Sequence, residues 1–366
     1  MTTLFSKRSP KNCATRHPVT AYDVAHLAGV SQSAVSRAFT PGSSISAQTR
    51  TKVIEAAQKL SYRPNLIARS LSMRRSNTVG VIVPPLSNPF FPTLLEALSN
   101  AFNHFGYRVL LFTSNPAISS DPILEDVLHS RVDALVMVSA SVSSNFADEC
   151  RLIGLPIVLL NRKTDSEQIS SVTGSNAKGA ETIASFLLEG GHRRYAFIAG
   201  LENSSTSRDR EESFTRQLTR SGKQLAARAT GHFSFEAAMD ASRRLLSSRS
   251  RPDAIFCAND YMAIAAIQIA HREFGLDVGR EISIVGFDDA EPAAWPVFNL
   301  TTFVQPAQLM ADRVAEILHH LLDSTETAAS KKIVVPGDLI VRGSARRPKR
   351  GISGPSERQV WTKNGH

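Results

Sequence analysis

Three side chains near the amino end stand where they could read a patterned polar surface: Gln32, Ser33 and Arg37. They fall in SQSAVSRAF, a helical segment for which Ser31 is the N-cap. A helix begun there exposes Gln32 and Ser33 on its first turn and carries Arg37 one turn further on. The fork of an arginine pairs bidentately with guanine O6 and N7, and a good pair of this kind discriminates by roughly 1–3 kcal/mol. The chemistry on offer is readout of base edges in a major groove. Thr20, Tyr22, Ser36, Thr40 and Ser46 are placed to hold phosphates and set register. Arg50 either does the same or is a solvated helix charge.

The elements that must position these residues are short helices. TAYDVAHLAG opens on Thr20 as N-cap, with Asp23 near the positive end of the helix. Val24, Leu27 and Ala28 share a face, and Gly29 can adopt the left-handed conformation that ends the segment. Gly29-Val30-Ser31 then joins two helices into a helix-turn-helix, with Ala25 allowing close approach and Val30 and Val35 in contact. A third helix, SAQTRTKVIEAAQKLSY, carries Val53, Ala56, Ala57 and Leu60 at helical spacing and covers the underside.

Charge distribution agrees with a polyanionic partner. Residues 1–76 hold twelve Lys and Arg against Asp23 and Glu55, and residues 342–366 hold seven against Glu357. The whole chain carries only +9, so the 265 residues between are acidic. Positive charge confined to a patterned amino end is the footprint of a nucleic-acid binder.

The string VTAYDVAHLAGVSQSAVSRAF, followed by ISAQTRTKVIEAAQKLSYRPN and ARSL, resembles the headpiece of the lac-repressor (LacI–GalR) family over about fifty positions. The resemblance implies a hinge helix matching Asn65 to Ser72, which folds on DNA, pairs with its dimer mate and enters the minor groove. Ala68 would permit close helix approach, Asn65 would lie at the start of that segment, and Leu71 matches the family's leucine wedge, which kinks the duplex. An isolated helix of eight residues is marginal in water, so this hinge is expected to be disordered without DNA and a partner.

Beyond Thr78, the apolar runs TVGVIV, YRVLLFT, DALVMVS, PIVLLN, RYAFIAG, DAIFCAN and EISIVGFD alternate with helical segments such as 91–105, 177–190, 233–246 and 261–274. Continuous apolar strands separated by helices mean parallel sheets buried on both faces. Nearly 270 residues of this pattern exceed one doubly wound sheet, so two lobes are expected. The motifs SNPFF, GHRRYAFIAG, SSTSRDREESF, FCAND, ISIVGFDD and LTTFVQP are similar to the core shared by lac-type repressors and type I periplasmic binding proteins. The fold class expected is thus an all-α helix-turn-helix headpiece with a hinge helix, then an α/β two-lobed core of two doubly wound parallel sheets. In the core that it resembles the chain crosses between lobes three times, which implies lobe one at about 77–173 plus 306–331 and lobe two at about 174–303 plus 332–345.

A polyhydroxylated ligand in such a cleft needs flat faces, which Phe90, Phe91, Phe235 and Trp295 could supply, although aromatic residues are equally often core. Asn259 and Asp288 match the family's hydroxyl-binding positions, and Arg210 matches an arginine that reaches the cleft and can pair a carboxylate or phosphate. Asn88 and Gln305 complete the candidate set. Many relatives carry Asp-Asn where this chain has Ser175-Asn176, which leaves the cleft less acidic and tilts the ligand toward an acidic sugar. The carboxyl end lacks the leucine heptads of a tetramer-forming coiled coil, so a homodimer is expected.

Enzyme chemistry finds no residues to rest on. Gly174 to Gly179 has phosphate-loop spacing but continues Ala180-Glu181, and no GxGxxG, GxSxG or HExxH occurs. Neither metal nor cofactor is expected. Cys13, Cys150 and Cys257 are odd in number and widely spaced, which suits reduced cytosolic thiols. No membrane span or secretory signal is legible, which disfavours the alternative of a secreted solute-binding protein. The expected organisation is a disordered basic arm (1–17), a helix-turn-helix domain (18–63), a hinge and linker (64–76), a two-lobed effector-binding and dimerisation domain (77–345) and a basic flexible tail (346–366). The expected function is a cytoplasmic, ligand-responsive repressor on a pseudo-palindromic double-stranded DNA operator. Its effector is a sugar, sugar acid or phosphorylated sugar.

Overall fold

In this computed structural model the described residues are 19–40, 42–63, 75–113, 121–139, 146, 149–150, 152–163, 166–323 and 329–363. The chain divides into two units, 1–76 and 77–366. The basic arm, Asn65, Ala68 and Leu71 lie outside the described residues.

In the first unit, local capping sets each helix. The backbone N–H and hydroxyl of Thr20 both donate to Asp23 Oδ2, at 2.8 and 2.7 Å, opening α1 (Ala21–Ala28). Those two bonds hold the Asp23 carboxyl below its usual range. Gly29 ends the helix at φ 67°, and a β-carbon there would meet nothing within 4 Å, so backbone conformation and not space selects glycine. Ser31 Oγ accepts from the Ala34 N–H to open α2 (Gln32–Ala38), and Ser46 Oγ accepts from the Thr49 N–H to open α3 (Ala47–Lys59). Val24, Ala25, Val35, Ala38, Val53, Ala56 and Ala57 form the core. Leu27 is 50% exposed, so the buried face of α1 is narrower than its spacing implies.

The second unit holds two sheets, as the apolar runs require. Val79, Val81 and Val83 of β1 (Thr78–Val83) pack on one face and Ile82 on the other. In β3 (Ala134–Val138), Ala134, Val136 and Val138 oppose Leu135 and Met137 in the same way. Lobe one adds β2 (Arg108–Thr113), β4 (Ile157–Leu160), β5 (Ser170–Gly174) and β11 (Lys332–Val335), in the all-parallel order β11-β5-β4-β3-β1-β2. Around it lie α4 (Phe90–His104), α5 (Asp121–His129) and, returning late in the chain, α10 (Ala307–Asp323).

Lobe two is built on β6 (Tyr195–Ala199), β7 (Leu225–Thr230), β8 (Ala254–Cys257), β9 (Ser283–Asp288) and β10 (Thr301–Val304), all parallel. Its helices are α6 (Asn176–Glu189), α7 (Ser205–Arg220), α8 (Phe235–Leu246) and α9 (Asp260–Arg272). Beyond β10 the short strands β12 (Leu339–Ile340), β14 (Val360–Trp361) and β13 (Ile352–Ser353) add antiparallel edges.

Two expectations need correction. Residues 332–335 belong to lobe one, because β11 pairs in parallel with β5 and Val335 enters the lobe-one core. The three crossings therefore fall at 174–176, 305–306 and 336–338. They pack tightly: a β-carbon on Gly337 would lie 2.2 Å from the Val304 carbonyl oxygen, and the Val304 N–H donates to the Asp338 carbonyl at 2.8 Å. The segment 346–366 is also not a free tail over its described part. Trp361 is 2% exposed, meets Phe186 edge-on at 5.7 Å and donates its indole N–H to the Arg350 carbonyl. One buried tryptophan anchors the segment expected as a basic flexible tail.

Candidate nucleic-acid interface and inter-lobe site

On α2 the small residues Ala34, Val35 and Ala38 face inward, which turns Gln32, Ser33, Ser36 and Arg37 to solvent. The side chains of Gln32 and Arg37 make no hydrogen bond or ion pair to another described residue, so their polar groups are available to a partner; the Arg37 backbone carbonyl accepts from the Thr40 N–H and the Ser43 hydroxyl. The Ser33 hydroxyl pairs with that of Ser31 at 2.9 Å. Tyr22 is 68% exposed, unusual for an aromatic ring and apt for a backbone contact.

The remaining candidate phosphate contacts have internal work. Thr20 donates to Asp23, Thr40 donates to the Ser36 carbonyl at 2.9 Å, and Ser46 caps α3. Arg50 fits neither reading that its position allowed. Its guanidinium donates to the Ala38 carbonyl and, at 3.4 Å, to Ser43 Oγ, which fastens the end of α2 to α3.

In the second unit, Arg210, Asp288 and Gln305 come together where the chain crosses between lobes. Arg210, on the second turn of α7, is 2% exposed. Its Nε donates to Asn176 Oδ1 at 2.8 Å, its Nη1 donates to the Ala258 carbonyl, and its guanidinium carbon stands 3.6 Å from the centre of the Phe287 ring. Nη1 is 3.7 Å from Asp288 Oδ1, and Nη2 is buried with no described partner. Burial draws the Arg210 pKa down to about 10 against the opposing pull of Asp288, Asp260 and Asp209.

Asp288 ends β9 with φ 133°, followed by Asp289 at φ 57°. Two consecutive non-glycine residues there are a strained turn of the kind that clusters at functional sites. Burial raises the Asp288 pKa to about 6, while Arg210 and a hydrogen bond from Gln305 pull it down. Gln305 Nε2 donates to Asp288 Oδ1 at 2.7 Å, and its buried Oε1 has no described partner. Asn259 caps α9 by accepting from the Met262 N–H at 3.0 Å, one residue beyond the carbonyl that receives Arg210.

The other candidates have partners of their own among the described residues. Asn88 Oδ1 accepts from the Phe90 N–H at the start of α4. Phe90 is 3% exposed with its ring in the lobe-one core, so it offers no open face; Phe91 packs edge-on beside it. Phe235 packs against Tyr261 and the lobe-two core. Trp295 is 46% exposed, stacks on Phe298 and donates to Glu291. No hydrogen bond, ion pair or ring contact joins these four aromatics to Arg210 among the described residues.

Three participants were not singled out from sequence. Asn176 holds Arg210, Phe287 underlies it, and fully buried Asp260 accepts from Thr302 Oγ1 and from the Ala290 N–H. Burial, then the Asp288 charge, push the Asp260 pKa well above the carboxylate range. A β-carbon on Gly286 would lie 2.1 Å from Asp260 Oδ1, so glycine is required beside it. Asp260 stands in the sequence as the last residue of FCAND, and Asn176 as the residue just before the helical segment 177–190; the helix in fact begins at Asn176.

Residues 20–65 match the family described as bacterial regulatory proteins, lacI family, and residues 184–345 match a periplasmic binding protein-like domain. The catabolite control protein A of Priestia megaterium is 30% identical over 90% of this chain and 99% of its own length. The ribose operon repressor of Escherichia coli (strain K12) is 29% identical over 89% of this chain and 99% of its own. A crystal structure of the lac repressor dimer bound to operator and the anti-inducer ONPF aligns with a TM-score of 0.80 at 28% identity. That alignment covers 90% of this chain and 99% of that one. A helix-turn-helix unit followed by a two-lobed core, matched over nearly its full length, places the chain in the lacI family of bacterial regulatory proteins, and it is a transcriptional regulator.

Proposed function

We propose that the protein is a homodimeric repressor that reads a pseudo-palindromic operator with two copies of α2. It is controlled by a small effector held where Arg210, Asn259, Asp288 and Gln305 converge. The observation that carries this reading is the exposure of Gln32 and Arg37, without described partners, on a helix whose other face is spent on the core. Gln32, Ser33 and Arg37 read bases; Tyr22 and Ser36 hold phosphates, with Thr20, Thr40 and Ser46 contributing through the helix ends they fix. Asn65, Ala68 and Leu71 form the minor-groove device. Dimerisation is supported by the dimeric lac repressor to which the chain is similar.

The effector is a sugar, sugar acid or phosphorylated sugar. Proteins to which the chain is similar include a ribose operon repressor and a transcriptional regulator in complex with cellobiose, which supports a carbohydrate-like ligand here. Closure of the lobes around it shifts the equilibrium between DNA-bound and DNA-free forms by the ligand's differential affinity for the two. The protein acts by binding and not by catalysis. No described helix is long and apolar enough to cross a membrane, and we place its action in the cytoplasm, where the DNA is.

The test is anisotropy of the intact protein on duplexes selected from a random pool, with and without a panel of neutral, acidic and phosphorylated sugars. Enrichment of a two-half-site sequence, steep salt dependence and a shift with one ligand class are expected. Equal affinity for every duplex would overturn the reading.

A further inference from the structure

Arg162 lies two residues past β4, on the lobe-one side of the crossing region. It is 7% exposed, makes no hydrogen bond or ion pair to another described residue, and its Nε is buried without an acceptor. Burial, and secondarily the charge of Arg208, draw its pKa down to about 10, which still leaves the guanidinium charged near neutrality. A buried cation is tolerated in folded proteins when something of opposite charge pairs with it. Among the described residues no such partner is present.

The surface beside Arg162 suits an anion. The next residue, Lys163, donates its N–H to Ser205 Oγ at 3.2 Å, and its Nζ meets Asp209 Oδ1 at 2.7 Å. The exit of β4 in lobe one therefore lies against the first turn of α7 in lobe two. That helix is 16 residues long, and its N-cap, Ser204, makes no side-chain capping bond. The N–H groups of Ser205, Thr206 and Ser207 donate to no described residue, so the positive end of the helix has no described acceptor. Ser204, Ser205, Thr206 and Ser207 are all buried, and the Ser204 and Thr206 hydroxyls are 2.7 Å apart. One turn on, Arg210 presents a second buried nitrogen, Nη2, without a partner. The carboxylates of this region are already engaged, Asp209 by Lys163 and Asp288 by Gln305 and Arg210.

We propose that the effector is an anion and that Arg162 is the residue that selects it. Its carboxylate or phosphate sits on the first turn of α7, where lobe two supplies helix N–H groups and hydroxyls, and Arg162 pairs with it from lobe one. The proposal rests on the inter-lobe region being the effector site and adds the chemical class of the ligand. Because the two sets of partners belong to different lobes, binding the anion draws the lobes together. A neutral sugar can satisfy the hydroxyls but leaves Arg162 unpaired.

The test is calorimetric titration of the intact protein with inorganic phosphate, D-glucose 6-phosphate, D-glucuronate and D-glucose. The variants Arg162→Gln and Arg162→Lys are measured beside the wild type, and operator binding is followed on the same samples. At least one anion is expected to bind ten-fold or more tightly than D-glucose. Arg162→Gln should lose at least ten-fold of that affinity, and Arg162→Lys should regain part of it. Binding of glucuronate alone identifies a carboxylate ligand, and binding of the phosphates identifies a phosphorylated one. Failure of every anion to bind, or equal binding by wild type and Arg162→Gln, overturns the proposal. If operator binding is intact in that case, the regulator reading stands; if no operator is bound, both fall. Unliganded Arg162→Gln is expected to melt at or above the wild-type temperature, since it sheds an unpaired buried charge. A large fall in melting temperature would mark Arg162 as structural and also overturn the assignment.

Discussion

Gln305 fastens itself to Asp288 twice: its backbone N–H donates to the Asp288 carbonyl at 3.0 Å, and its Nε2 donates to Asp288 Oδ1 at 2.7 Å. Asp288 ends a lobe-two strand, and Gln305 is the residue at which the chain leaves for lobe one. The other atom of the Gln305 amide, Oε1, lies 2.8 Å from where a β-carbon on Gly174 would stand, at a different crossing. One side chain thus spans two of the three crossings and holds the carboxylate that faces Arg210. Any ligand that alters the charge of Asp288 or Arg210 acts directly on the joint between lobes.

That placement gives a pH dependence of known sign. The Asp288 carboxyl is raised to about 6 from an ordinary value near 4, by burial, and faces Arg210, Asp260 and, one residue on, the Asp289–Arg342 pair. A raised folded-state pKa contributes stability that is present at low pH and lost as pH rises through about 6. Wild-type melting temperature should therefore decline more steeply between about pH 4 and 6 than that of Asp288→Asn, which keeps only the contribution of Asp260. Parallel melting-temperature curves for the two proteins across that range would refute the assignment.

Arg50→Gln separates a structural arginine from a phosphate contact. Loss of the bonds to the Ala38 carbonyl and Ser43 should lower headpiece stability by about 1–2 kcal/mol. The slope of log affinity for duplex DNA against log salt should stay unchanged, whereas a lost phosphate contact lowers it by about one. Denaturant melts and salt titrations measure both quantities.

Trp361→Ala tests whether the carboxyl end is part of the core. Removing a buried tryptophan typically costs about 3–5 kcal/mol, so the melting transition of the 77–366 unit should fall by several degrees. A loss under 1 kcal/mol would mean that β13 and β14 do not support lobe two.

The legibility of this fold in its sequence followed burial. Strands such as 195–199 and 254–257 are continuous apolar runs because helices cover both faces, and their ends were readable to within a residue or two. β5 escaped notice because SSVTG buries Ser170, Ser171 and Thr173, which carry no apolar signal. β11 escaped because KIVV is a half-exposed edge strand joined to lobe one only through a distant pairing. In the inter-lobe site, Arg210, Asn259 and Asp288 were marked by family spacing. Asn176, Asp260 and Arg162 matter only once α6, α9 and the exit of β4 are set beside them. Phe90 joins the lobe-one core, which its residue type alone does not reveal, because type does not say which side of a helix end is buried.

Sequence-specific DNA recognition by α2 is the central claim, and the most direct measurement is the affinity of Arg37→Ala for the duplex selected by the wild-type protein. The Arg37 side chain is exposed and makes no hydrogen bond or ion pair with a described residue, and alanine keeps the backbone carbonyl that receives Ser43 and Thr40, so the variant should fold as the wild type does. The expected loss on the selected duplex is about ten- to hundred-fold, the equivalent of roughly 1–3 kcal/mol, with relaxed preference at one base pair of each half-site. Affinity for scrambled DNA should fall only slightly. Equal affinity of wild type and Arg37→Ala for the selected duplex, with unchanged base preference, would contradict the account.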